Sequence, residues 1–171
     1  MPWGRKKREG PAVGTLGDEK TQRKRAFASA VRSLARRPRT AAEIEEFLAR
    51  REYTAEVIEH TLGRLREQRY LDEAAVADVI VREAERRNLG SRRVGQTMSR
   101  RGVPPDLASQ AVAESREGDL DRARALLARR YPGGLDGDPK RCEKAVRLLV
   151  RRGFPYGVAR QAIGLDVDLD S

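Results

Sequence analysis

The chain contains few of the side chains that most often perform chemistry. Its 171 residues include one cysteine and one histidine. A single cysteine, Cys142, excludes an internal disulfide. His60 is the only histidine, and one histidine with one distant cysteine forms neither a metal site nor a nucleophile–base pair. No glycine-rich phosphate loop follows a strand pattern. We therefore predict a protein that is not an enzyme and that holds no cofactor or metal.

Long apolar runs and aromatic residues are also scarce. No apolar run approaches the ~20 residues that cross a bilayer. The basic residues from Arg5 to Arg8 are not followed by the apolar stretch of a secretory signal. These absences predict a soluble cytoplasmic protein with no membrane partner. The aromatic residues are one Trp, four Tyr and three Phe, so the sequence offers little support for stacking on nucleic-acid bases.

Acidic residues are outnumbered by basic ones. There are 36 Lys and Arg against 26 Asp and Glu, and the formal net charge is +10. An excess of this size predicts a polyanionic or acidic partner, because repulsion between like charges otherwise opposes compaction.

One pattern recurs three times, at intervals of about fifty residues. Its apolar positions are Ile44, Phe47 and Leu48, then Val94, Thr97 and Met98, then Ala145, Leu148 and Leu149. A fixed period of this size is typical of stacked helical repeats, and no segment has strand character. We predict an all-α fold of three tandem three-helix repeats. Such an elongated array offers an extended surface to a long partner.

The repeats divide the chain into five segments. Residues 1–20, rich in Gly, Pro and charge, are predicted to form a disordered basic arm. The repeats are placed at 21–71, 72–117 and 118–163, and the third is lengthened by a loop at 132–138. Residues 164–171 form an acidic tail.

Capping residues predict where the helices begin and end. Thr40 and Glu43 form a capping box, and Thr54, Asp72 and Asp138 are N-caps, while Gly102 is a left-handed stop. Predicted helices include 41–51, 55–69, 73–88, 92–101 and 155–163. One repeat position, shared by Tyr53, Val103 and Phe154, is predicted to insert an apolar side chain into the core.

Arginine pairs close the first two helices of every repeat. They are Arg36/Arg37, Arg50/Arg51, Arg86/Arg87, Arg100/Arg101, Arg129/Arg130 and Arg151/Arg152. Two interpretations stay open. Cations at helix C-termini are favoured by roughly 0.3–1 kcal/mol through the helix dipole. Alternatively, stacking of the repeats aligns the pairs into a stripe that binds an anionic partner.

Two other basic pairs stand at helix N-termini, where the dipole disfavours cations. Arg92 and Arg93 follow Ser91, and Lys140 and Arg141 follow Asp138 and Pro139. Unpaired backbone N–H groups with two added cations would form a site for phosphate or carboxylate. The run Arg64, Arg66 and Arg69 is a weaker candidate, because a charge run is usually a solvated face. Asp119 and Asp121 are likewise interpreted as a solvated face.

Several segments between residues 23 and 163 resemble the RecX proteins, regulators of the RecA recombinase in bacteria. The resemblance is carried by residues 30–38 and 40–48, by Tyr70-Leu71-Asp72 with Glu73 and Ala74, by residues 100–103, and by residues 148–154. The chain departs from the family pattern at Arg69, where the family has Gly, and at Val76-Ala77.

The resemblance implies a curved, all-helical monomer that lies in the groove of a RecA filament on single-stranded DNA. It would block filament growth or hasten disassembly, and damp strand exchange and the SOS response. Duplex DNA would be a weaker partner. The residues predicted to contact DNA or recombinase are Arg92, Arg93, Lys140, Arg141, Arg86, Arg87, Arg100, Arg101, Arg50, Arg51, Arg151 and Arg152.

A second hypothesis needs no recombinase. A helix pair could act as a helix-turn-helix in the major groove of duplex DNA. Against it, no helix carries the mixture of Asn, Gln and Arg that reads base edges well.

Overall fold

A computed structural model describes residues 19–135 and 137–164 of the protein. All regular structure in these two ranges is α-helical, which confirms the predicted all-α repeat fold. The helices are α1 (Glu19–Leu34), α2 (Ala41–Ala49), α3 (Ala55–Glu67), α4 (Glu73–Arg86), α5 (Ser91–Arg101), α6 (Pro105–Glu117), α7 (Asp119–Arg130), α8 (Pro139–Arg151) and α9 (Tyr156–Ala162). The predicted arm lies outside the described residues except for its last two positions. The predicted acidic tail lies outside them except for Gly164.

The predicted caps are confirmed. The Glu43 N–H donates to Thr40 Oγ1 at 3.1 Å, and the Thr40 N–H donates to Glu43 Oε2 at 3.1 Å. Asp72 accepts from the N–H of Ala75 at 2.8 Å. Gly102 has a φ of 69°, so it ends α5 in the left-handed region. Thr54 and Asp138 also cap α3 and α8.

Helices α2, α3 and α4 each end two residues earlier than predicted. The reason is a left-handed residue beyond each helix, at Glu52, Arg69 and Asn88, with φ values of 62°, 55° and 48°. A non-glycine residue in this region costs roughly 1–2 kcal/mol. The backbone at Arg69 thus has the conformation that the glycine of the resembling family would adopt without strain.

One compact unit comprises residues 19–36 and 44–70. In it α1 packs on α3. The Phe27 ring meets the Tyr70 ring edge-on, with centroids 5.9 Å apart. The Arg64 guanidinium lies 4.3 Å from the centroid of the Phe27 ring. The buried apolar residues are Ala26, Ala30, Ile44, Leu48, Val57, Ile58, Leu62 and Leu65.

The other compact unit comprises residues 37–43 and 71–164, and it has two apolar cores. Helices α4, α5 and α6 surround a core that includes Val76, Ile80, Val94 and Met98. Helices α7, α8 and α9 surround a core that includes Leu127, Leu149 and Phe154. Separate small cores are the expected result of a repeat in which each helix triplet buries its own apolar face.

The repeat position predicted to enter the core does so at Val103 and Phe154, which are both buried. Tyr53, its counterpart, is only half-buried. The exact limits predicted for the three repeats stay predictions.

Candidate nucleic-acid interface

The start of α5 is held against the end of α8 by backbone hydrogen bonds. The Gly90 N–H donates to the Arg152 carbonyl at 3.1 Å, and the Arg92 N–H donates to the Gly153 carbonyl at 3.0 Å. A Cβ on Gly90 would lie 2.3 Å from the Gly153 oxygen, so only glycine permits this approach. We call this contact the Gly90–Gly153 joint.

A buried carboxylate completes the joint. Asp119, the first residue of α7, is fully buried. Its carboxylate accepts the Ser91 N–H at 3.0 Å and the Ser91 hydroxyl at 2.6 Å. It also forms an ion pair with Arg122, whose Nη2 lies 2.8 Å from Oδ1. The interpretation of Asp119 as part of a solvated face is therefore wrong, because its acceptor oxygens satisfy the donors at the start of α5.

These contacts also correct the anion site that was predicted at helix N-termini. At Arg92 and Arg93, the N–H groups of residues 90–92 already have protein acceptors. At the start of α8, Asp138 Oδ1 accepts the Lys140 N–H at 2.9 Å and the Arg141 N–H at 3.5 Å. Backbone donors therefore cannot hold an external anion at either place. Binding by the side chains stays a prediction.

The same construction occurs where residues 40–43 meet the end of α5. The Thr40 hydroxyl donates to the Arg101 carbonyl at 2.6 Å. The Ala41 N–H donates to the carboxylate of Glu73, the first residue of α4, at 2.9 Å. A Cβ on Gly102 would lie 2.6 Å from the Ala42 Cβ. We call this contact the Thr40–Gly102 joint.

An ion pair supports the Thr40–Gly102 joint. The guanidinium of Arg101 donates to both carboxylate oxygens of Glu43, from Nε at 3.1 Å and from Nη2 at 3.0 Å. Burial alone would raise the pKa of Glu43. The hydrogen bonds from Arg101 and from the Thr40 N–H, with the charges of Arg101 and Arg37, outweigh burial and lower the pKa below its ordinary value of 4.5. Arg101 thus has a structural partner.

The lowered pKa predicts how Glu43→Gln changes stability. A carboxylate whose pKa is depressed by folding stabilises the protein above its unfolded pKa, and that contribution is lost as the pH falls through the folded pKa. At neutral pH we expect Glu43→Gln to lower the free energy of unfolding by roughly 1–2 kcal/mol. Below pH 4.5, its ordinary pKa, the difference from the unmodified chain should shrink. Denaturant unfolding at several pH values measures both effects.

Glu46→Gln is the matched control for this measurement. Glu46 pairs with Arg50 on the surface, with 62% of its side chain exposed, and exposed pairs contribute little. A Glu43→Gln difference that stays constant down to acid pH would contradict the role assigned to this carboxylate.

Five arginines surround one pocket beside the Thr40–Gly102 joint. The pocket encloses about 340 Å³, and its charged lining residues are Arg37, Arg87, Arg93, Arg100, Arg101, Glu43 and Glu83. Positive charge exceeds negative charge by three, and we call this the basic pocket. It brings together four predicted contact residues, three from α5 and one, Arg87, that directly follows α4. Arg37 also lines this pocket, although the sequence placed it only in an arginine pair and not among the predicted contact residues.

Some of the predicted contact residues already have a hydrogen-bond, ion-pair or aromatic partner within the protein, and others do not. Arg93 donates to the Arg151 carbonyl at 3.1 Å, and Arg152 donates to the Arg87 carbonyl at 3.2 Å. Both therefore belong to the Gly90–Gly153 joint. Arg87 pairs with Glu83 at 3.3 Å, and Arg141 donates to the Gly134 carbonyl at 2.9 Å. In the other compact unit, Arg50 pairs with Glu46, and Arg51 lies over the Phe47 ring at 3.8 Å.

The remaining predicted residues are exposed and have no hydrogen bond or ion pair of the side chain within the described ranges. They are Arg86, Arg92, Arg100, Lys140 and Arg151. Their guanidinium and ammonium groups are therefore the ones available to a partner.

The described residues contain no cluster of three or more His, Cys, Asp or Glu placed to hold a metal ion. None of the helices described is long and apolar enough to cross a membrane.

Sequence comparison identifies the family of the chain. The profile described as "RecX, first three-helix domain" matches residues 26–65, and "RecX, third three-helix domain" matches residues 117–163. The regulatory protein RecX of Halorhodospira halophila is 33% identical over 134 residues, which cover 78% of this chain and 83% of that protein. That of Deinococcus radiodurans is 37% identical over 144 residues, covering 83% of this chain and 68% of that protein.

Solved structures agree on the fold. The crystal structure of RecX from Lactobacillus salivarius superposes with a TM-score of 0.74 at 19% identity, covering 85% of this chain and 96% of that one. A crystal structure of regulatory protein RecX gives a TM-score of 0.71 at 25% identity, covering 88% of this chain and 79% of that one. By its sequence and by its repeated three-helix architecture, the chain belongs to the RecX family of regulatory proteins.

Proposed function

We propose that the protein is a non-enzymatic regulator of the RecA recombinase. It binds RecA filaments on single-stranded DNA and inhibits filament growth, ATP hydrolysis and strand exchange, and so modulates DNA repair and the SOS response. The active form is a cytoplasmic monomer. Family membership supports the regulatory role, and the basic pocket is the observation that supports binding to an anionic filament.

The basic pocket suits an anionic partner for electrostatic reasons. Guanidinium groups are planar, permanently charged and able to donate two hydrogen bonds to one phosphate or carboxylate. Glu43 accepts from Arg37 and Arg101. Glu83 lies beside Arg87. Arg100 has no such partner within the described ranges, and its charge is therefore directed to solvent or to a bound anion.

A test should change the available cations and spare those that hold the joints. Charge reversal at Arg93 would confuse loss of binding with loss of the hydrogen bond to the Arg151 carbonyl. Arg92 and Arg100 are both exposed on α5 and have no such role. Arg124, exposed in the middle of α7 and outside the predicted contact set, is the matched control.

We expect Arg92→Glu with Arg100→Glu to weaken inhibition of DNA-dependent ATP hydrolysis by RecA at least about 10-fold. Each lost charged contact worth about 1.4 kcal/mol changes an affinity tenfold. Arg124→Glu should inhibit like the unmodified chain, and helix content should be equal in all three. Unchanged inhibition by the double variant would remove these two arginines from the binding surface.

The titration also separates modes of action. Inhibition well below one molecule per RecA subunit would indicate filament capping or destabilisation, whereas inhibition only at DNA saturation would indicate competition for the strand. If RecA is unaffected and duplex DNA is bound with sequence preference, the helix-turn-helix hypothesis replaces this one.

A further inference from the structure

A second basic surface, separate from the basic pocket, lies along α8 in the third repeat. This groove encloses about 750 Å³, within the ~300–1,000 Å³ typical of ligand sites. Arg130, Lys144, Arg147, Arg151, Tyr131 and Tyr156 line it, with apolar contacts from α8. No acidic side chain is found in this lining among the described residues. We call it the α8 groove.

The cations of α8 form a stripe on one helix face. Lys140, Lys144, Arg147 and Arg151 stand at intervals of three or four residues, which places them side by side along the helix. At about 1.5 Å per residue the stripe covers about 16 Å. It is therefore several times longer than the ~3.4 Å rise per nucleotide in one DNA strand. It can meet more than one phosphate.

Helix stability explains only one end of the stripe, where Arg151 stands in the last turn of α8 and is favoured by the dipole. Like charges three or four residues apart are destabilising, and Lys140 and Lys144 stand in the first half of α8, where the dipole does not favour cations. Only Arg147 is offset by a neighbour, through the 3.3 Å contact with Glu143. The lysines and Arg151 have no side-chain partner in the described part of the chain. Such an arrangement suits an external polyanion.

A tyrosine adds a second kind of contact. Tyr156 lines the α8 groove, and 58% of it is exposed. Phe154, two residues earlier, is fully buried in the core. The two aromatic rings of this segment therefore differ, and only that of Tyr156 is exposed. Rings exposed beside a cationic track are how proteins bind single strands without sequence preference, because every base presents a face for stacking.

We infer that the α8 groove binds single-stranded DNA, with the cation stripe on the phosphates and Tyr156 stacked on a base. The paired bases of a duplex are already stacked on each other and offer no free face to this ring. The inference rests on the proposed function, because it assigns the strand contact of the regulator to one surface. The low aromatic content of the sequence offered little support for base stacking, and this inference assigns stacking to one tyrosine.

The stacking contact is tested by anisotropy of a labelled oligo-dT strand titrated with the full chain, without RecA. Tyr156→Leu keeps an apolar side chain but removes the ring, and should bind about 10-fold more weakly. Tyr156→Phe keeps the ring and should bind like the unmodified chain. On an abasic strand of equal length, Tyr156→Leu and the unmodified chain should bind equally. Equal affinity of Tyr156→Leu and the unmodified chain for oligo-dT would overturn the assignment.

The phosphate contact has a separate readout. Lys144→Gln with Arg151→Gln should reduce the slope of log affinity against log salt by about 1.4, at ~0.7 per single-strand phosphate contact. Arg124→Gln should leave the slope unchanged. An unchanged slope in the double variant, or affinity for duplex equal to that for the single strand, would overturn the proposal. Because RecA is absent, failure here leaves RecA inhibition to be decided by the ATP hydrolysis assay alone.

Discussion

Asp119→Ala should lower the free energy of unfolding by about 3 kcal/mol. The substitution leaves the Ser91 N–H and hydroxyl without their acceptor and removes the carboxylate beside Arg122, whose side chain is only 13% exposed. Breaking a buried pair from one side costs about 3–5 kcal/mol. The lower value applies because Arg122 also donates to the Ser115 carbonyl and lies 3.8 Å from Glu85.

Asp121→Ala is the matched control for Asp119→Ala. Asp121 stands in the same first turn of α7 but is exposed, so its loss should change stability by no more than about 0.5 kcal/mol. Asp119→Asn, which keeps one acceptor oxygen, should fall between the two. Denaturant unfolding followed by helix content measures all three. Equal stability of the Asp119→Ala and Asp121→Ala proteins would mean that the buried carboxylate does not hold the Gly90–Gly153 joint.

Gly90→Ala should have an effect of similar size by a different mechanism. The added Cβ would meet backbone atoms, the Gly153 oxygen and the Phe154 nitrogen, both at 2.3 Å. Backbone cannot move aside as a flexible side chain can, so α5 and α8 must separate. The hydrogen bonds of Gly90 and Arg92 across the joint would be lost with it. Overpacking costs about 1–3 kcal/mol and each lost hydrogen bond about 1 kcal/mol, which predicts a total of about 3 kcal/mol.

Gly63→Ala provides a control of opposite sign. Gly63 lies within α3, and a Cβ there would meet nothing within 4 Å. Alanine in a helix interior is favoured over glycine by roughly 0.5–1 kcal/mol, so this variant should be more stable than the unmodified chain. Thermal unfolding of both variants gives the comparison. A Gly90→Ala protein as stable as the unmodified chain would show that the close approach is not required.

The joints explain why part of the predicted contact set has another role. Arg93, Arg101 and Arg152 stand in the same sequence pattern as Arg92, Arg100 and Arg151, one residue apart in each pair. In the structure one member of each pair donates to a carbonyl or carboxylate of a neighbouring segment, and the other is exposed. The sequence pattern places both arginines of a pair at the end of a helix. It does not predict which of the two contacts a neighbouring segment.

Asp119 and Asp121 show the same limit for acidic residues. Both stand in the first turn of α7, where carboxylates are favoured by the helix dipole. Two residues apart on a helix, they point in different directions, and only Asp119 faces the start of α5. The intervals between repeats predicted that α5 and α7 exist, but not that one carboxylate from α7 would cap α5.

Local physics made the helices predictable from the sequence alone. The capping box at Thr40 and Glu43, the N-caps Thr54, Asp72 and Asp138, and the left-handed Gly102 act within one or two turns of chain, so their positions determine where helices begin and end. The fifty-residue period determined that the same triplet recurs, and the charge excess predicted an anionic partner. None of these properties depends on which distant segments meet in space.

Only the tertiary structure decided which charges are available to that partner. The basic pocket gathers Arg37, Arg87, Arg93, Arg100 and Arg101 from positions up to 64 residues apart. The α8 groove exposes Tyr156 while Phe154 is buried. Electrostatic and packing energies depend on distances through space, and those distances are set by how the helices pack. Two arginines in the same sequence pattern can therefore differ, one holding a joint and the other facing solvent. The sequence around them does not distinguish the two.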